Sequence, residues 1–114
     1  VAASDQFITA KFSDGSCSVL FTFVYAKCET IARVQLWNEF GIFDLGSLPW
    51  LVGGDFNAIL DTLEKNGMGV LSRNATQDFR SFVSRVGLAD LGCSGERFTW
   101  FNYQKGVNRT WCCL

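Results

Sequence analysis

The feature that constrains the fold most is an apolar run that ends in two glycines. Trp50–Val52 follows Pro49 and leads directly into the sequence GGDFN, which ends at Asn57. An apolar run this short, bounded by proline and glycine, is typical of a buried strand and too brief for a helix. Glycines interrupt a strand and let the backbone turn sharply. We therefore expect a buried strand that breaks at its glycines and presents the next residues at its C-terminal end.

Two polar side chains follow this strand, with one aromatic residue between them. Residues two apart in an extended segment point the same way, so Asp55 and Asn57 are expected to share a cleft while Phe56 enters the core. A carboxylate can hold or deprotonate a water, and an amide can donate to a phosphate oxygen without adding negative charge. The pair suits phosphodiester hydrolysis, although Gly-Gly-Asp after a strand is also an ordinary strand-to-loop turn.

The segments before this strand predict a hairpin followed by a helix. Gln6–Phe12 and Cys17–Ala26 read as strands around the turn signal Ser13–Ser16. The second strand is apolar on both faces, which predicts a central strand that is covered on both sides. Tyr25 ends this strand and is either a half-buried tyrosine with its hydroxyl in water or a member of the site.

A change of period from about Glu29 predicts a helix that ends near Gly41. Arg33 falls on the side assigned to solvent. Strand, helix and strand in this order indicate a crossover that packs the helix onto a sheet. The apolar stripe of the helix consists of Ile31, Val34, Trp37 and Phe40.

The C-terminal half predicts a loop over Thr62–Arg73 and then a second helix. Asn74 and Gln77 resemble a capping box at the start of this helix, and Gly87 is expected to end it. Its apolar stripe consists of Phe79, Phe82, Val83 and Val86.

Three short strands are expected after the second helix. Leu88–Leu91 and Arg97–Asn102 read as strands, and another begins at Trp111. Between them, a turn carries Lys105 and Arg109, which either contact a phosphate backbone or form a solvated basic turn.

Charge and cysteine usage narrow the chemistry. A net charge of -1 gives no overall attraction to nucleic acid, so any affinity for phosphate must be local. With no histidine, and with five cysteines that lack CxxC spacing, no zinc site is expected and free buried thiols are favoured. No apolar run approaches the roughly 20 residues that a membrane span needs, so no membrane partner is expected.

Five segments carry a family resemblance in a fixed order. They are Val24–Ala26, Arg33–Trp37, Pro49–Asn57, Gly87–Leu91 and Arg97–Asn102. With these segments the chain resembles the endonuclease/exonuclease/phosphatase superfamily, and more narrowly the apurinic-type endonuclease domain of non-LTR (LINE-like) retrotransposon polyproteins of plants. The resemblance extends from about Phe21 to Leu114.

The resemblance implies a four-layered α/β sandwich and magnesium-dependent cleavage of phosphodiesters in DNA, with no small-molecule cofactor. Asp55 matches the aspartate that orients or activates the attacking water. Asn57 matches the asparagine that contacts phosphate and water, and Tyr25 matches the tyrosine that donates to the scissile phosphate. Trp100 and Asn102 lie in a segment that borders the nucleic-acid groove.

The resemblance also implies missing parts. Family members carry a magnesium-binding glutamate on an early strand and a histidine near the end, and neither has a counterpart here. We therefore expect one domain, residues 1–114, that is truncated at both ends and forms a partial sandwich without its terminal strands. Loss of one electrostatic donor costs about 10²–10³ in rate, so negligible turnover is expected. The alternatives are a non-catalytic mobile-element remnant that binds nucleic acid weakly at most, and a phosphatase for small phosphoesters.

Overall fold

The protein is described by a computed structural model that covers residues 2–40, 46–67, 73–92, 94–96, 98–103, 105–106 and 110–112. The chain divides into two compact units, Val1–Asn57 and Ala58–Leu114. In the described residues, each unit contains its own sheet and one α-helix, so the chain is a mixed α/β protein and the predicted class is confirmed.

The first unit is built on a four-stranded sheet. Its elements are β1 (Ala2–Ala3), β2 (Phe7–Asp14), β3 (Cys17–Tyr25), α1 (Thr30–Phe40) and β4 (Trp50–Asp55). The strands lie in the order β1-β2-β3-β4, with β2 antiparallel to β3 and β3 parallel to β4. The predicted hairpin and the strand-helix-strand crossover are therefore both confirmed.

One face of this sheet forms the core of the first unit together with α1. Phe40 and Leu36 are fully buried, and the Phe40 ring lies 4.7 Å from that of Phe7. The buried Thr22 hydroxyl on β3 accepts a 2.8 Å hydrogen bond from Trp50 Nε1 and lies 2.7 Å from the hydroxyl oxygen of Thr9. These bonds pair the polar groups that lie between the sheet and the helix. Their burial therefore costs much less free energy than the burial of unpaired groups would.

The other face of β3 is open. Thr22 and Val24 are buried, whereas Phe23 and Tyr25 on the opposite face are 51% and 73% exposed. The prediction that β3 is central in its sheet is confirmed, but the prediction that it is covered on both sides is wrong. Apolar residues on both faces of a strand therefore did not mean burial on both faces here.

The buried stripe of α1 differs from the predicted one. Arg33 is buried on the same helical face as Leu36, Trp37 and Phe40. Ile31, which was predicted to belong to that face, is 79% exposed. Residues at i, i+3, i+4 and i+7 share a face, and that series starts at Arg33. The assignment of Arg33 to solvent is wrong because its guanidinium has hydrogen-bond partners in the first unit. The predicted stop at Gly41 lies outside the described residues.

The two glycines lie inside β4, which continues to Asp55, so the predicted break at the glycines is wrong. Gly54 has a φ of 139°, and a Cβ placed on it would lie 2.0 Å from the carbonyl oxygen of Val24. Gly54 is therefore required by the close approach of β3 and β4. A Cβ on Gly53 would lie 3.9 Å from the Phe21 ring, which is an ordinary contact.

The second unit contains a three-stranded antiparallel sheet. Its elements are a 3₁₀ turn (Thr62–Glu64), β5 (Lys65–Gly67), α2 (Arg73–Arg85), β6 (Trp100–Phe101) and β7 (Thr110–Cys112). The strands lie in the order β5-β7-β6. The predicted loop over Thr62–Arg73 is thus partly a 3₁₀ turn and a strand, and residues 68–72 lie outside the described residues.

A capping arrangement explains why the 3₁₀ turn forms where a loop was predicted. The Asp61 carboxylate accepts from Leu63 N at 3.0 Å, while Glu64 Oε2 accepts from Asp61 N at 3.3 Å and from Leu60 N at 2.6 Å. This is the reciprocal pattern of a capping box, and the spacing Asp-x-x-Glu signals it in the sequence.

The second helix, α2, matches its prediction closely in packing and at its end. Phe79 and Phe82 are buried, as predicted. Gly87 has a φ of 71°, and Leu88 N donates to Val83 O at 3.0 Å, which is the Schellman pattern of a helix C-terminus. The helix already includes Asn74, so the predicted capping role of Asn74 is wrong.

The strand predictions after α2 hold only in part. Leu88–Leu91 forms no strand, and the predicted strand Arg97–Asn102 is reduced to β6, with Arg97 outside the described residues. β7 begins at Thr110, one residue before the predicted strand.

The thiols that the structure describes are exposed. Cys17 and Cys28 are both free and exposed, so the expected burial is wrong for these two. Cys93, Cys113 and the side chain of Cys112 lie outside the described residues. Among the helices of the described residues, none has the length and apolar character to cross a membrane.

The close approach at Gly54 can be tested by adding one methyl group. We expect Gly54→Ala to lower the free energy of unfolding by about 3 kcal/mol or more, because both the contact with Val24 and the positive φ oppose a Cβ. The measurement is urea unfolding followed by circular dichroism. Gly53→Ala is the matched control and should change stability by less than about 1 kcal/mol. Equal losses in the two variants would contradict this account of β4.

Candidate functional site

The candidate site lies where β3 and β4 end. These strands run parallel, so their C-terminal ends meet at the same edge of the sheet. Tyr25 and Asp55 are the last residues of the two strands and are direct cross-strand partners. Partners in neighbouring strands about 4.8 Å apart project from the same face. Both side chains therefore lie on the open face, beside each other.

Hydrogen bonds tie Asn57 to both strand ends. Asn57 N donates to Asp55 Oδ1 at 2.9 Å, which closes an Asx turn after β4. Asn57 Nδ2 donates to Ala26 O at 2.6 Å, and Ala26 N donates to Asp55 O at 2.8 Å. The three sequence-predicted catalytic residues, Tyr25, Asp55 and Asn57, are thus brought together at one sheet edge.

The physical reason for this grouping differs from the expected one. Strand alternation was expected to aim Asp55 and Asn57 the same way, but β4 ends at Asp55 and Asn57 has a φ of 46°. Asparagine is among the few residues that adopt this left-handed conformation readily. Phe56 is half-buried and stacks on Trp37 of α1 with ring centroids 6.3 Å apart, so its expected entry into the core is met only in part.

Several polar atoms at this edge are open to a ligand. Tyr25 is largely exposed, and within the described residues its hydroxyl makes no hydrogen bond. In the same part of the chain, Asp55 Oδ2 and Asn57 Oδ1 make none either. The site therefore offers one hydroxyl donor, one carboxylate oxygen and one carboxamide oxygen. Such a set can hold a water and an oxyanion at the same time.

A surface ion pair lies in the loop that follows Tyr25. The Lys27 ammonium donates to Asp5 Oδ2, and both side chains are exposed. The hydrogen bond from Lys27 lowers the pKa of Asp5, and the same bond raises the pKa of Lys27. The pair links this loop to Asp5, but exposed ion pairs of this kind stabilise proteins little.

Two residues that the sequence did not assign to the site hold the loop between β3 and α1 by hydrogen bonds to its backbone. Arg33 Nη1 donates to Lys27 O at 3.1 Å and to Cys28 O, and Gln6 Oε1 accepts from Lys27 N at 2.9 Å. Burial lowers the pKa of Arg33, while Cys28 and Glu29 raise it. The sequence signal for Arg33 was its place in the series that it shares with Leu36, Trp37 and Phe40.

The donor set fits magnesium only in part. The described residues contain no group of three His, Cys, Asp or Glu side chains that could hold a metal ion. Magnesium is often held by one or two carboxylates together with waters and substrate phosphates. Asp55 supplies one carboxylate oxygen at this edge, so these residues alone do not form a complete cage for the ion.

The candidates for nucleic-acid contact belong to the second unit. Trp100 on β6 is 44% exposed. Asn102 Oδ1 accepts from Thr110 N at 3.1 Å, and Asn102 N donates to Thr110 O at 3.2 Å, so this residue closes the connection between β6 and β7. Lys105 is exposed, and Arg109 lies outside the described residues.

Comparison of the chain with protein-family models, with curated proteins and with solved structures finds no match in any of the three.

The Asx turn predicts a difference between two substitutions of the same carboxylate. Asp55→Ala removes the acceptor for Asn57 N and should lower the free energy of unfolding by about 1 kcal/mol. Asp55→Asn keeps an oxygen at that place and should cost less than about 0.5 kcal/mol, since the bond survives. Urea unfolding monitored by tryptophan fluorescence measures both. A larger loss for Asp55→Asn than for Asp55→Ala would show that the turn does not depend on this acceptor.

Proposed function

We propose that the edge formed by the ends of β3 and β4 is the water- and phosphate-binding part of a magnesium-dependent phosphodiesterase site of the endonuclease type. The observation that carries the proposal is the pairing of Tyr25 with Asp55 on one face, with Asn57 tied to the same edge. A proton acceptor and an oxyanion donor side by side are what hydrolysis of a phosphodiester requires.

Each residue has a distinct role in this proposal. Asp55 Oδ2 accepts a hydrogen bond from the attacking water and takes its proton as the new bond to phosphorus forms. The Tyr25 hydroxyl donates to a non-bridging phosphate oxygen, where negative charge builds up in the transition state. Asn57 Oδ1 accepts a hydrogen bond from the same water and so helps to orient it. The bond from phosphorus to the leaving oxygen breaks, and that oxygen takes a proton from solvent.

Magnesium supplies neutralisation of phosphate charge when it is bound. Because Asp55 Oδ2 takes the proton of the attacking water in this scheme, the ion would be held by waters and phosphate oxygens, with Asp55 bound to one of those waters. Because only one carboxylate oxygen is offered, we expect affinity for the ion to be low in the absence of DNA and turnover to be slow.

DNA is the proposed substrate, and a LINE-like retrotransposon the proposed parent. The ordered resemblance of five segments supports both, from Val24–Ala26 to Arg97–Asn102. The exposed Trp100 would stack on a base, a contact that tolerates any sequence. Arg109 would contribute a phosphate contact, since arginine binds phosphate oxygens with paired N–H groups.

A second candidate is a non-catalytic remnant of such a domain. The observation that favours it is that Asp55 Oδ1 and Asn57 Nδ2 both serve internal hydrogen bonds. These bonds account for an Asp-x-Asn sequence after a strand without any substrate. A remnant of this kind would retain the fold of the edge and bind DNA weakly at most.

Plasmid nicking separates the two candidates. With protein in excess over supercoiled plasmid and with magnesium present, we expect slow nicking that stops when EDTA is added. Asp55→Asn should reduce the rate by about 10²-fold or more, because the proton acceptor is lost while the turn remains. Tyr25→Phe should reduce it by about tenfold or more, because one donor to the phosphate is lost. The nicked fraction is measured on agarose gels over time.

Asp14→Asn is the matched control, since Asp14 is exposed at the hairpin end of β2, away from the ends of β3 and β4. It should nick at the wild-type rate. Equal rates for wild type and Asp55→Asn would trace the activity to another nuclease in the preparation. A folded wild-type chain that does not nick DNA would contradict the proposed phosphodiesterase activity and favour the non-catalytic remnant.

A further inference from the structure

We propose that Arg33 and Gln6 are positioning residues, which fix the loop between β3 and α1 and, through the carbonyl of Ala26, the carboxamide of Asn57. The catalytic consequence rests on the proposed function. The mechanical part does not, because the setting of the Asn57 side chain can be measured without any turnover.

Arg33 holds the loop by its carbonyl groups. The side chain is buried, and Nη1 donates to Lys27 O at 3.1 Å and to Cys28 O. Nη2 donates to Thr30 Oγ1 at 3.2 Å, at the start of α1. One planar guanidinium therefore fixes two consecutive carbonyls and the first residue of the helix that follows them.

Gln6 holds the same loop from the side of β2. It is 4% exposed, and its Oε1 accepts from Lys27 N at 2.9 Å while its Nε2 donates to Ala32 O at 3.0 Å. Its backbone carbonyl accepts from Tyr25 N at 2.8 Å. Gln6 directly precedes β2. It therefore links the start of β2 to the last residue of β3 and to the first turn of α1.

These bonds continue without a gap into the candidate site. The carbonyl of Ala26 accepts from Asn57 Nδ2, and the carbonyls of Lys27 and Cys28 accept from the Arg33 guanidinium. Ala26 N donates to Asp55 O. A shift of this loop would move the only carbonyl that the Asn57 side chain contacts within the described residues. The loop is thus the template that sets the carboxamide.

Arginine is a costly residue at a buried position of this helical face. The described partners of Arg33 are carbonyl oxygens and a hydroxyl, and no carboxylate is among them. Burying a cation in this way costs free energy that an apolar residue on the same helical face would not cost. What the guanidinium adds is a fixed geometry, and near a reacting phosphate an error of about 1 Å can cost about 10²-fold in rate.

The test is the exchange of the Asn57 side-chain amide with water, measured by NMR on the full ¹⁵N-labelled chain. The signal is assigned by its loss in Asn57→Asp. Arg33→Met and Gln6→Leu should each speed this exchange by about tenfold, because the loop carbonyl no longer holds its place. Arg33→Lys should give a smaller increase, since an ammonium can still donate to one carbonyl.

Arg80→Met is the matched control. Arg80 also donates from its guanidinium to a backbone carbonyl, that of Leu60, but it does so in the second unit. This variant should leave the exchange of the Asn57 amide unchanged. Should Arg33→Met fail to fold, Arg33→Lys and Gln6→Leu carry the same test. Exchange within about twofold of wild type in the folded variants at both positions would overturn the proposal.

Nicking kinetics add a second reading. Where the wild-type chain nicks DNA, Arg33→Lys should lower kcat by about tenfold and leave the affinity for DNA unchanged, which is the pattern of lost positioning. If the wild-type chain does not nick, the proposed function fails, whereas the amide exchange still decides whether Arg33 and Gln6 set Asn57.

Discussion

The close parallel pairing of β3 with β4 is the constraint on which the first unit depends. The backbones approach so closely that Gly54 leaves no room for a Cβ beside Val24. This pairing carries the ends of both strands to one edge and makes Tyr25 and Asp55 neighbours. The helix between the strands covers one face and leaves the site on the other. The position of the candidate site and the pair of side chains that meet there therefore both follow from one contact between two backbones.

The second level of organisation is a set of side chains that serve the backbone. Four side chains bond to main-chain groups just after β3 or β4, namely those of Gln6, Arg33, Asp55 and Asn57. Loops lack the repeating bonds of strands and helices, so their polar groups need partners of this kind. Here these partners are also the residues proposed to act on, or to position, the phosphate. The loop is shaped by the same bonds that shape the site.

The sequence predicted the elements better than their faces. Long periodic or punctuated segments, such as the hairpin, the crossover and α2 with its stop at Gly87, follow from local rules and were found. Arg33 was misplaced because a charged side chain is assigned to solvent by default, and its partners are loop carbonyls that only the fold brings near. Asn57 was placed at the right edge for an incomplete reason, since strand alternation ends at Asp55 and an Asx turn takes over. Short strands such as β6 depend on pairing, which no local pattern records.

The open face of the first sheet has a consequence for how this protein responds to temperature. Ile8, Phe12, Phe23 and Leu51 remain 40–52% exposed, with Ile8 and Phe23 directly opposite each other in the register. The heat-capacity change of unfolding grows with the apolar surface that folding hides. A sheet that is wetted on one side therefore yields a small heat-capacity change and a shallow stability curve. The free energy of unfolding of the first unit should therefore change little with either warming or cooling.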